Sequence, residues 1–288
     1  MICSIFTGCL GDENSYDDDK KLSIVSYDAF GMSQELLDQF TNETGIDVEI
    51  TRAGNSGGVL STAIQTKDTG LFDLSIGIDN SYLGTALSAN IFQPLNTDRS
   101  IFSSRALSSY DGDLAIPFDL ASVCINYDST YVDGGNITIP TSLWDFTDST
   151  WDGKLVVQNP RTSSTGRSFF LATVDYFSND EDNLTDHKDW WQSMRANNIL
   201  ITDGWTTAYE SHYSGGYGQW GDGFIGDAHA VVSYCHSPGV EAYYGGNSTT
   251  SIALDIDNAS FSQIEYISFL SGSDTVSYTH LTLPTNRE

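Results

Sequence analysis

Basic residues are scarce in this 288-residue chain. It has 12 Lys and Arg against 39 Asp and Glu, which gives a formal net charge of -27. A surface of that charge repels the phosphate backbone of nucleic acids, because binding to it depends on Lys and Arg. We therefore expect no nucleic-acid partner. The excess of carboxylates instead favours a protein that lives in salt, or one that attracts cationic ligands.

Long apolar runs and paired cysteine motifs are also missing. No run of 18 apolar residues occurs, so the sequence predicts no membrane-spanning helix. The cysteines are Cys3, Cys9, Cys124 and Cys235, and the absence of a CxxC pair excludes a zinc ribbon and a thioredoxin motif. Cys124 lies in the apolar run from Ser122 to Tyr127, where we interpret it as a small buried filler.

The first 20 residues have features of an export signal. The segment Phe6-Thr7-Gly8-Cys9 resembles a lipoprotein signal box, and a polar, acidic run from Gly11 to Lys21 follows it. Such a run is typical of a disordered tether. The apolar stretch before Cys9 is short for a signal peptide. We therefore expect residues 1–20 to be a truncated signal and tether, with Cys9 as the lipid anchor of an extracytoplasmic protein, in the periplasm or at the cell surface.

The first half of the folded region alternates strand and helix patterns. The predicted strands are Leu22–Tyr27, Ile46–Thr51 and Phe72–Ile78, and the predicted helices are Ser33–Thr44 and Gly57–Thr66. This βαβαβ order predicts a parallel sheet with helices on both faces. Ligands of such sheets lie beyond the carboxyl ends of the strands. Tyr27, the glycine turn at Gly57 and Gly58, and Asp79 all fall at those ends.

The second half predicts another α/β lobe. Two strands, Leu114–Pro117 and Ser122–Tyr127, are separated by Phe118-Asp119-Leu120, and the second carries the chain out of the first lobe. The elements that follow are predicted strands at Leu155–Val157, Ile199–Thr202, Ala228–Tyr234 and Phe261–Phe269, and predicted helices at Ser168–Tyr176 and Leu184–Asn197. We expect lobe 1 at residues 21–120, lobe 2 at 121–245, and a return to lobe 1 at 246–273.

The turn from Gln158 to Gly166 is rich in hydroxyls and small residues, and it joins a predicted strand to a predicted helix. Backbone N–H groups and the positive end of the helix dipole at such a turn can bind an anion such as phosphate. The alternative is an ordinary N-cap, because Ser and Thr are common capping residues. Local sequence leaves both interpretations open.

Two further turns of the second lobe face the same predicted crevice, Gly204–Thr207 and Tyr234–Ser237. With the hydroxyl-rich turn they offer hydroxyls, backbone donors and two aromatic faces. This combination predicts a site for a ligand with rings and an anionic end. Trp205 and Tyr234 can alternatively be core aromatics.

From Lys21 to Ser273 the chain resembles the thiamine-binding proteins of bacterial and archaeal ABC importers. The motifs that carry the resemblance are Tyr27-Asp28-Ala29-Phe30, Ile78-Asp79-Asn80, Pro117-Phe118-Asp119, Gln158-Asn159-Pro160-Arg161-Thr162-Ser163, Gly204-Trp205, Ala208-Tyr209, Ser233-Tyr234, Ser237-Pro238 and Gln263-Ile264-Glu265. The resemblance implies a type II periplasmic-binding-protein fold, in which two α/β lobes enclose a ligand cleft.

The resemblance also implies a function and a site. The ligand is thiamine, with its phosphates, and the partners are the permease and ATPase subunits of an ABC importer. Carried over position by position, the ligand-binding residues are Tyr27, Gly57, Gly58, Ser163, Ser164, Trp205, Tyr234, Cys235, His236 and Ser237. No catalytic residue, metal or cofactor is expected, and the protein is expected to be a monomer.

Two segments depart from the family pattern. Val240 stands where the family usually has an aromatic residue, a role that Tyr243 or Tyr244 can take if the loop is reshaped. Residues 274–288 have no helical period, and we expect them to be a foreign tail that replaces the family's last helices.

Two other functions remain to be tested. Ferric-ion carriers share the fold and use adjacent tyrosines, for which Tyr243 and Tyr244 are candidates with Glu241 or His236 as further ligands. A thiaminase-like enzyme attacks thiamine with a cysteine in the cleft. Cys124 is the candidate nucleophile here, with Glu265 as its base.

Overall fold

The structure is a computed structural model that describes residues 21–95, 98–178 and 186–273. Its strands are β1 (Lys21–Ser26), β2 (Asp47–Arg52), β3 (Leu74–Asp79), β4 (Phe92–Gln93), β5 (Ile116–Asp128), β6 (Leu155–Gln158), β7 (Leu200–Thr202), β8 (Ala230–Tyr234), β9 (Ser251–Ala253) and β10 (Phe261–Leu270). Its α-helices are α1 (Gln34–Thr44), α2 (Ser56–Gln65), α3 (Asn80–Ser88), α4 (Ser104–Leu107), α5 (Ser164–Ser178), α6 (His187–Ala196) and α7 (Ser237–Tyr244). The predicted anchor Cys9 and the predicted tail, 274–288, lie outside the described residues.

One mixed sheet runs through the molecule in the order β2-β1-β3-β10-β5-β8-β6-β7. The strands β1, β2 and β3 are parallel to one another, and so are β6, β7 and β8. Between these two parallel groups lie β10 and β5, which are antiparallel to each other and to their outer neighbours. The carboxyl ends of both parallel groups therefore approach the same pair of crossing strands.

Side-chain caps fix where the helices of the first parallel group begin. Ser33 accepts a hydrogen bond from the Leu36 N–H at the start of α1, and Asn55 accepts one from Gly58 at the start of α2. Asp79 ends β3 and caps α3 through the Ser81 N–H. Such side chains satisfy backbone donors that have no partner within the helix. Each helix of this group consequently starts close to a strand end, where a ligand of an α/β sheet binds.

The most important difference from the predicted elements is β5. The sequence predicts two strands broken at Phe118-Asp119-Leu120, but the structure has one strand of 13 residues. Leu120 pairs with Ile264 and Asp119 with Glu265, so β10 keeps this exposed segment extended. The same strand then pairs with β8 from Val123 to Tyr127. A single strand thus crosses from one half of the sheet to the other.

Apolar clusters cover the sheet on both sides of the crossing strands. The largest is built around Phe146, Trp151, Phe169, Trp190 and Met194, all of which are fully buried. A second cluster surrounds Val59, Ile78 and Tyr266. Within the described ranges, no helix combines the length and apolar character needed to cross a membrane.

Candidate ligand-binding site

A cavity of about 200 Å³ lies at the carboxyl ends of β1 and β8, against the crossing strands. It is lined by Tyr27, Ala29, Asp119, Ala121, Tyr234, His236, Gln263 and Glu265. Three of these, Tyr27, Tyr234 and His236, belong to the site predicted from the sequence. Whole-ligand pockets usually measure about 300–1,000 Å³. The cavity is therefore the size of one ring and its substituents.

Aromatic rings form its walls. Tyr27 lies against Gly77, where a Cβ would overlap the tyrosine ring and where φ is +98°. Glycine is thus required at position 77 both for backbone conformation and for the close approach of the ring. On the other side, the rings of Tyr234 and His236 stack with their centroids 5.5 Å apart. A flat ligand ring can lie against these surfaces.

Glu265 is the buried carboxyl group of the cavity. Its side chain is only 7% exposed, and Gln263 Nε2 donates to Glu265 Oε1 at 3.1 Å. The other oxygen, Oε2, is buried and accepts no hydrogen bond within the described part of the chain. Burial first, and then the negative charge of Asp119, raise the pKa of Glu265 to about 7. The Tyr27 hydroxyl approaches the carboxyl and partly opposes this rise in pKa.

The two cavity tyrosines stay neutral phenols. Burial raises the pKa of Tyr27, and the nearby Glu265 raises it further. The same two causes, in the same order, raise the pKa of Tyr234. Both rings therefore present neutral π-faces and hydroxyl donors beside two carboxyl groups. None of the eight lining residues is Lys or Arg. Such a cavity favours a cation over an anion.

The N-terminus of α5 meets the N-terminus of α2. Ser56 N donates to Ser164 Oγ at 3.2 Å, and the Asn55 side-chain amide donates to the Thr162 carbonyl. The predicted site residues Gly57 and Gly58, in the first turn of α2, therefore lie close to the predicted Ser164. At Gly58 a Cβ would overlap the Ala53 carbonyl, so this turn can only form with glycine there.

Ser163 has the geometry of the N-cap that the sequence left as one alternative. Its hydroxyl is buried, lies 3.4 Å from the Gly166 N–H, and bonds Thr165 Oγ1 at 2.9 Å. One turn further along α5, Ser168 Oγ donates to Gln263 Oε1 at 3.0 Å. Because Gln263 lines the cavity, the first turns of α5 are connected to the cavity wall.

Trp205 lies outside the set of residues that line the cavity. Its ring stacks on Tyr209 with centroids 4.8 Å apart and planes 16° from parallel. Its indole N–H donates to Ser233 Oγ at 2.9 Å, and that hydroxyl is 3.0 Å from Ser237 Oγ. The predicted residues Trp205 and Ser237 are thus joined through Ser233, which directly precedes the cavity residue Tyr234.

Cys124 is not a buried filler with a free thiol, as predicted, but forms a disulfide with Cys235. The bond joins β5 to the turn after β8 across 111 positions of sequence. Cys235 lies between Tyr234 and His236, so the bond fixes the segment that carries these two cavity rings. The proposed thiaminase-like nucleophile is therefore half of a disulfide in this structure.

The tyrosine pair suggested for iron lies at the surface of the molecule. The side chains of Tyr243 and Tyr244 are 77% and 79% exposed, and they contact each other edge to face. The described residues contain no group of three or more His, Cys, Asp and Glu side chains arranged to hold a metal ion.

The sequence analysis did not identify the residues on the acidic side of the cavity as ligand-binding residues. Glu265 was considered only as a base, and neither Asp119 nor Gln263 was selected as a site residue. A signal was present in β10, since Gln263 and Glu265 are two apart in an otherwise largely apolar strand and so share one face. Their position beside Tyr27 depends on pairing between distant strands, which local sequence does not reveal.

Comparisons with known proteins agree with this architecture. A family model described as bacterial extracellular solute-binding protein matches residues 35–228. A thiamine-binding periplasmic protein of Brucella abortus biovar 1 (strain 9-941) is 23% identical over 222 residues, which are 76% of this chain and 60% of that protein. The chain thus spans about three fifths of the length of this curated relative.

Solved structures show the same fold. A periplasmic thiamin binding protein superposes with a TM-score of 0.70 at 19% identity, covering 88% of this chain and 74% of the other. Iron-bound HitA from Pseudomonas aeruginosa gives 0.63 at 15% identity, covering 88% and 76%. The predicted type II periplasmic-binding-protein fold is therefore confirmed.

Proposed function

The chain belongs to the bacterial extracellular solute-binding protein family, and from that premise we propose that it captures thiamine and its phosphates for an ABC importer. The observation that carries the proposal is the acidic, aromatic cavity around Glu265, in a chain whose curated relatives are named for thiamine binding. Thiamine has a flat, permanently cationic thiazolium ring and an aminopyrimidine ring, and its esters add a phosphate.

The cavity suits the ring system of such a ligand. Tyr27, Tyr234 and His236 provide aromatic faces, and Glu265 and Asp119 provide carboxyl groups. A cation over an aromatic face gains about 0.5–2 kcal/mol, and more where water is excluded. This combination supports thiamine better than a neutral sugar or an anionic solute.

The N-terminus of α5 suits the phosphate of the esters. Its first turn presents backbone N–H groups and the positive end of the helix dipole, and Ser163 and Ser164 lie there. Arg161 precedes this turn, and Arg167 within it donates from Nε to Ser81 Oγ at 3.0 Å. We assign the phosphate to this region and the cationic thiazolium ring to the cavity.

The setting we propose is extracytoplasmic. The matched relatives are named as periplasmic proteins, and a disulfide between Cys124 and Cys235 is typical of oxidising compartments. We further propose that Cys9 carries a lipid anchor, that the protein acts as a monomer, and that its partners are the permease and ATPase subunits of the importer. It needs no catalytic residue or cofactor for this role.

The test is calorimetry of the purified chain against thiamine, thiamine monophosphate, thiamine diphosphate and ferric citrate. We expect saturable binding of the thiamine series with one ligand per chain and no binding of iron. Binding of iron alone would replace the proposal with the ferric-ion carrier.

A second assay separates a binder from an enzyme. The chain is incubated with thiamine and an added nucleophile, and free thiazole is measured by chromatography. We expect none, because Cys124 is disulfide-bonded. Release of thiazole that is lost in Cys124→Ser would show that the protein is an enzyme.

A further inference from the structure

One carboxyl oxygen of Glu265 is buried without a hydrogen bond, and packing of the fold does not explain why a carboxyl group lies there. A buried polar atom without a hydrogen bond costs roughly 1–3 kcal/mol, and more when it is charged. Glu265 Oε2 is such an atom, on a side chain that is 7% exposed and lines an otherwise aromatic cavity. Gln263 satisfies Oε1, but nothing in the fold requires a second carboxyl oxygen at this place, whereas a cationic ligand would gain from it.

The groups around Glu265 come from every strand that reaches the cavity. Tyr27 lies at the end of β1, Asp79 at the end of β3, Asp119 on β5, and Tyr234 and His236 at and after the end of β8. Asp79 is itself buried and bonded to Ser81. Arg167 acts on Asp79 and stacks on Tyr82 at 4.1 Å, and Arg52 donates to the Tyr27 carbonyl at 3.1 Å. No positive side chain therefore neutralises Glu265 from within the cavity lining.

We infer that Glu265 is the counter-charge to a flat organic cation held in this cavity, and that it releases its proton to solvent when the cation enters. The inference rests on the proposed function, because thiamine supplies the cation. Without ligand, burial and the charge of Asp119 raise the pKa of Glu265 to about 7, so the side chain is mostly neutral at about pH 6 and about half ionised at pH 7. A cation bound beside Glu265 Oε2 stabilises the ionised carboxylate and so lowers the pKa of Glu265.

Two measurable consequences follow from this coupling. Binding at about pH 6, where the free carboxyl is mostly protonated, releases close to one proton. Affinity rises with pH, because the ligand prefers the carboxylate, and each unit by which the ligand lowers the pKa of Glu265 appears as about tenfold in affinity. Above about pH 8.5 the carboxyl is ionised before binding and proton release ends.

The test is calorimetry of thiamine binding to the full chain at about pH 6 and pH 8.5. Each pH is run in two buffers of different ionisation enthalpy, so that released protons are counted. We expect close to one proton at pH 6, almost none at pH 8.5, and about tenfold tighter binding at the higher pH. Thiochrome, a flat uncharged derivative of thiamine, should release none.

Matched variants identify the group that loses the proton. Glu265→Gln keeps the size and the bond with Gln263, and it should abolish both the proton release and the pH dependence. His236→Gln removes the imidazole of the wall, and a proton count that falls with this change would assign the released proton to His236 and overturn the inference. Glu241→Gln replaces a second buried glutamate, on α7 and outside the cavity, and serves as the control.

The outcomes separate the inference from the proposed function. Thiamine binding with the same proton count in Glu265→Gln, or proton uptake instead of release, would overturn the inference and leave the function standing. Proton release with thiochrome would equally exclude a counter-charge role. Failure of the wild-type chain to bind thiamine at either pH would overturn the proposed function and the inference with it.

Discussion

At the scale of single residues, a buried carboxyl carries a stability cost of its own. Because the pKa of Glu265 in the folded chain is raised to about 7 from an ordinary 4.5, the folded state holds this proton more tightly than the unfolded state. Its contribution to stability is therefore complete below about pH 4.5 and is lost as pH rises through about 7. At about 1.4 kcal/mol per pKa unit, the loss is about 3 kcal/mol.

Glu265→Gln should remove this pH dependence. Urea unfolding of the ligand-free wild type and of the variant at about pH 5 and pH 8.5 measures it. We expect the variant to be more stable than the wild type at pH 8.5 by about 3 kcal/mol and nearly equal to it at pH 5. A variant that is less stable at both values would mean that the carboxylate is stabilised by contacts in the folded chain.

Trp205 gives a second residue-scale prediction. One face of its ring is covered by Tyr209, and its N–H is bonded to Ser233. If its remaining surface covers a thiamine ring, Trp205→Ala should weaken thiamine binding by about 1–3 kcal/mol. Trp205→Phe keeps a flat ring and should lose less than half of that. Calorimetry measures the affinity of both variants, and circular dichroism checks that they fold. Unchanged affinity in a folded Trp205→Ala would mean that Trp205 packs on Tyr209 and does not contact the ligand.

At the scale of elements, the start of α5 combines a cap with the assigned phosphate position. Ser163 Oγ lies 3.4 Å from the Gly166 N–H, so Ser163→Ala should cost about 1 kcal/mol of unfolding free energy. The double variant Ser163→Ala and Ser164→Ala should weaken thiamine monophosphate more than thiamine, because only the ester places an anion at the helix N-terminus. Parallel titrations with both ligands decide this. Equal losses would leave the turn as a cap only.

The disulfide gives a second prediction at this scale. A bond that closes a long loop typically contributes about 2–5 kcal/mol, and Cys124 and Cys235 are separated by 111 positions. The double variant Cys124→Ser and Cys235→Ser should melt at lower temperature and bind thiamine more weakly, because Tyr234 and His236 flank Cys235. Thermal melting of the oxidised wild type with and without reductant is the matched comparison. An unchanged melting temperature in both experiments would contradict a structural role for the bond.

The same elements show how far sequence reasoning reaches. The βαβαβ half was predicted because its strand and helix patterns are local and its caps, such as Ser33, stand beside the elements they start. The continuity of β5 was not, because Asp119 stays extended only through its pairing with β10. The disulfide was missed for a related reason, since nothing near Cys124 in sequence indicates Cys235 as its neighbour. Helix α7, which begins with Ser237-Pro238, was missed because those residues were interpreted as a ligand-binding turn.

At the scale of the whole molecule, charge sets the response to salt. The net charge of -27 leaves most carboxylates without a basic partner to pair with. Their mutual repulsion destabilises the compact state, and salt screens it over about 10 Å at 0.1 M. We expect added NaCl to raise the melting temperature of the chain, by about 2–4 °C for each kcal/mol of repulsion removed.

Scanning calorimetry from about 0.05 to 1 M NaCl checks this expectation. Association of thiamine should slow over the same range, because the negative field that attracts a cation is screened as well. Sucrose at matched osmolality is the control for solvent exclusion. A melting temperature that is independent of NaCl would show that the carboxylates are too far apart to interact.

The place of β10 in the sheet determines when the molecule can fold during synthesis. This strand is central in space but late in sequence, and the Asn80 side-chain amide bonds the Ser262 carbonyl across 182 positions. Because β10 lies between β3 and β5, these two strands have no partner on their facing edges until the ribosome has made β10. Contacts so distant in sequence also form slowly once the chain is complete. We therefore expect the central part of the sheet to form only after β10 has been synthesised, so that the nascent chain stays incompletely folded until its last described strand has emerged.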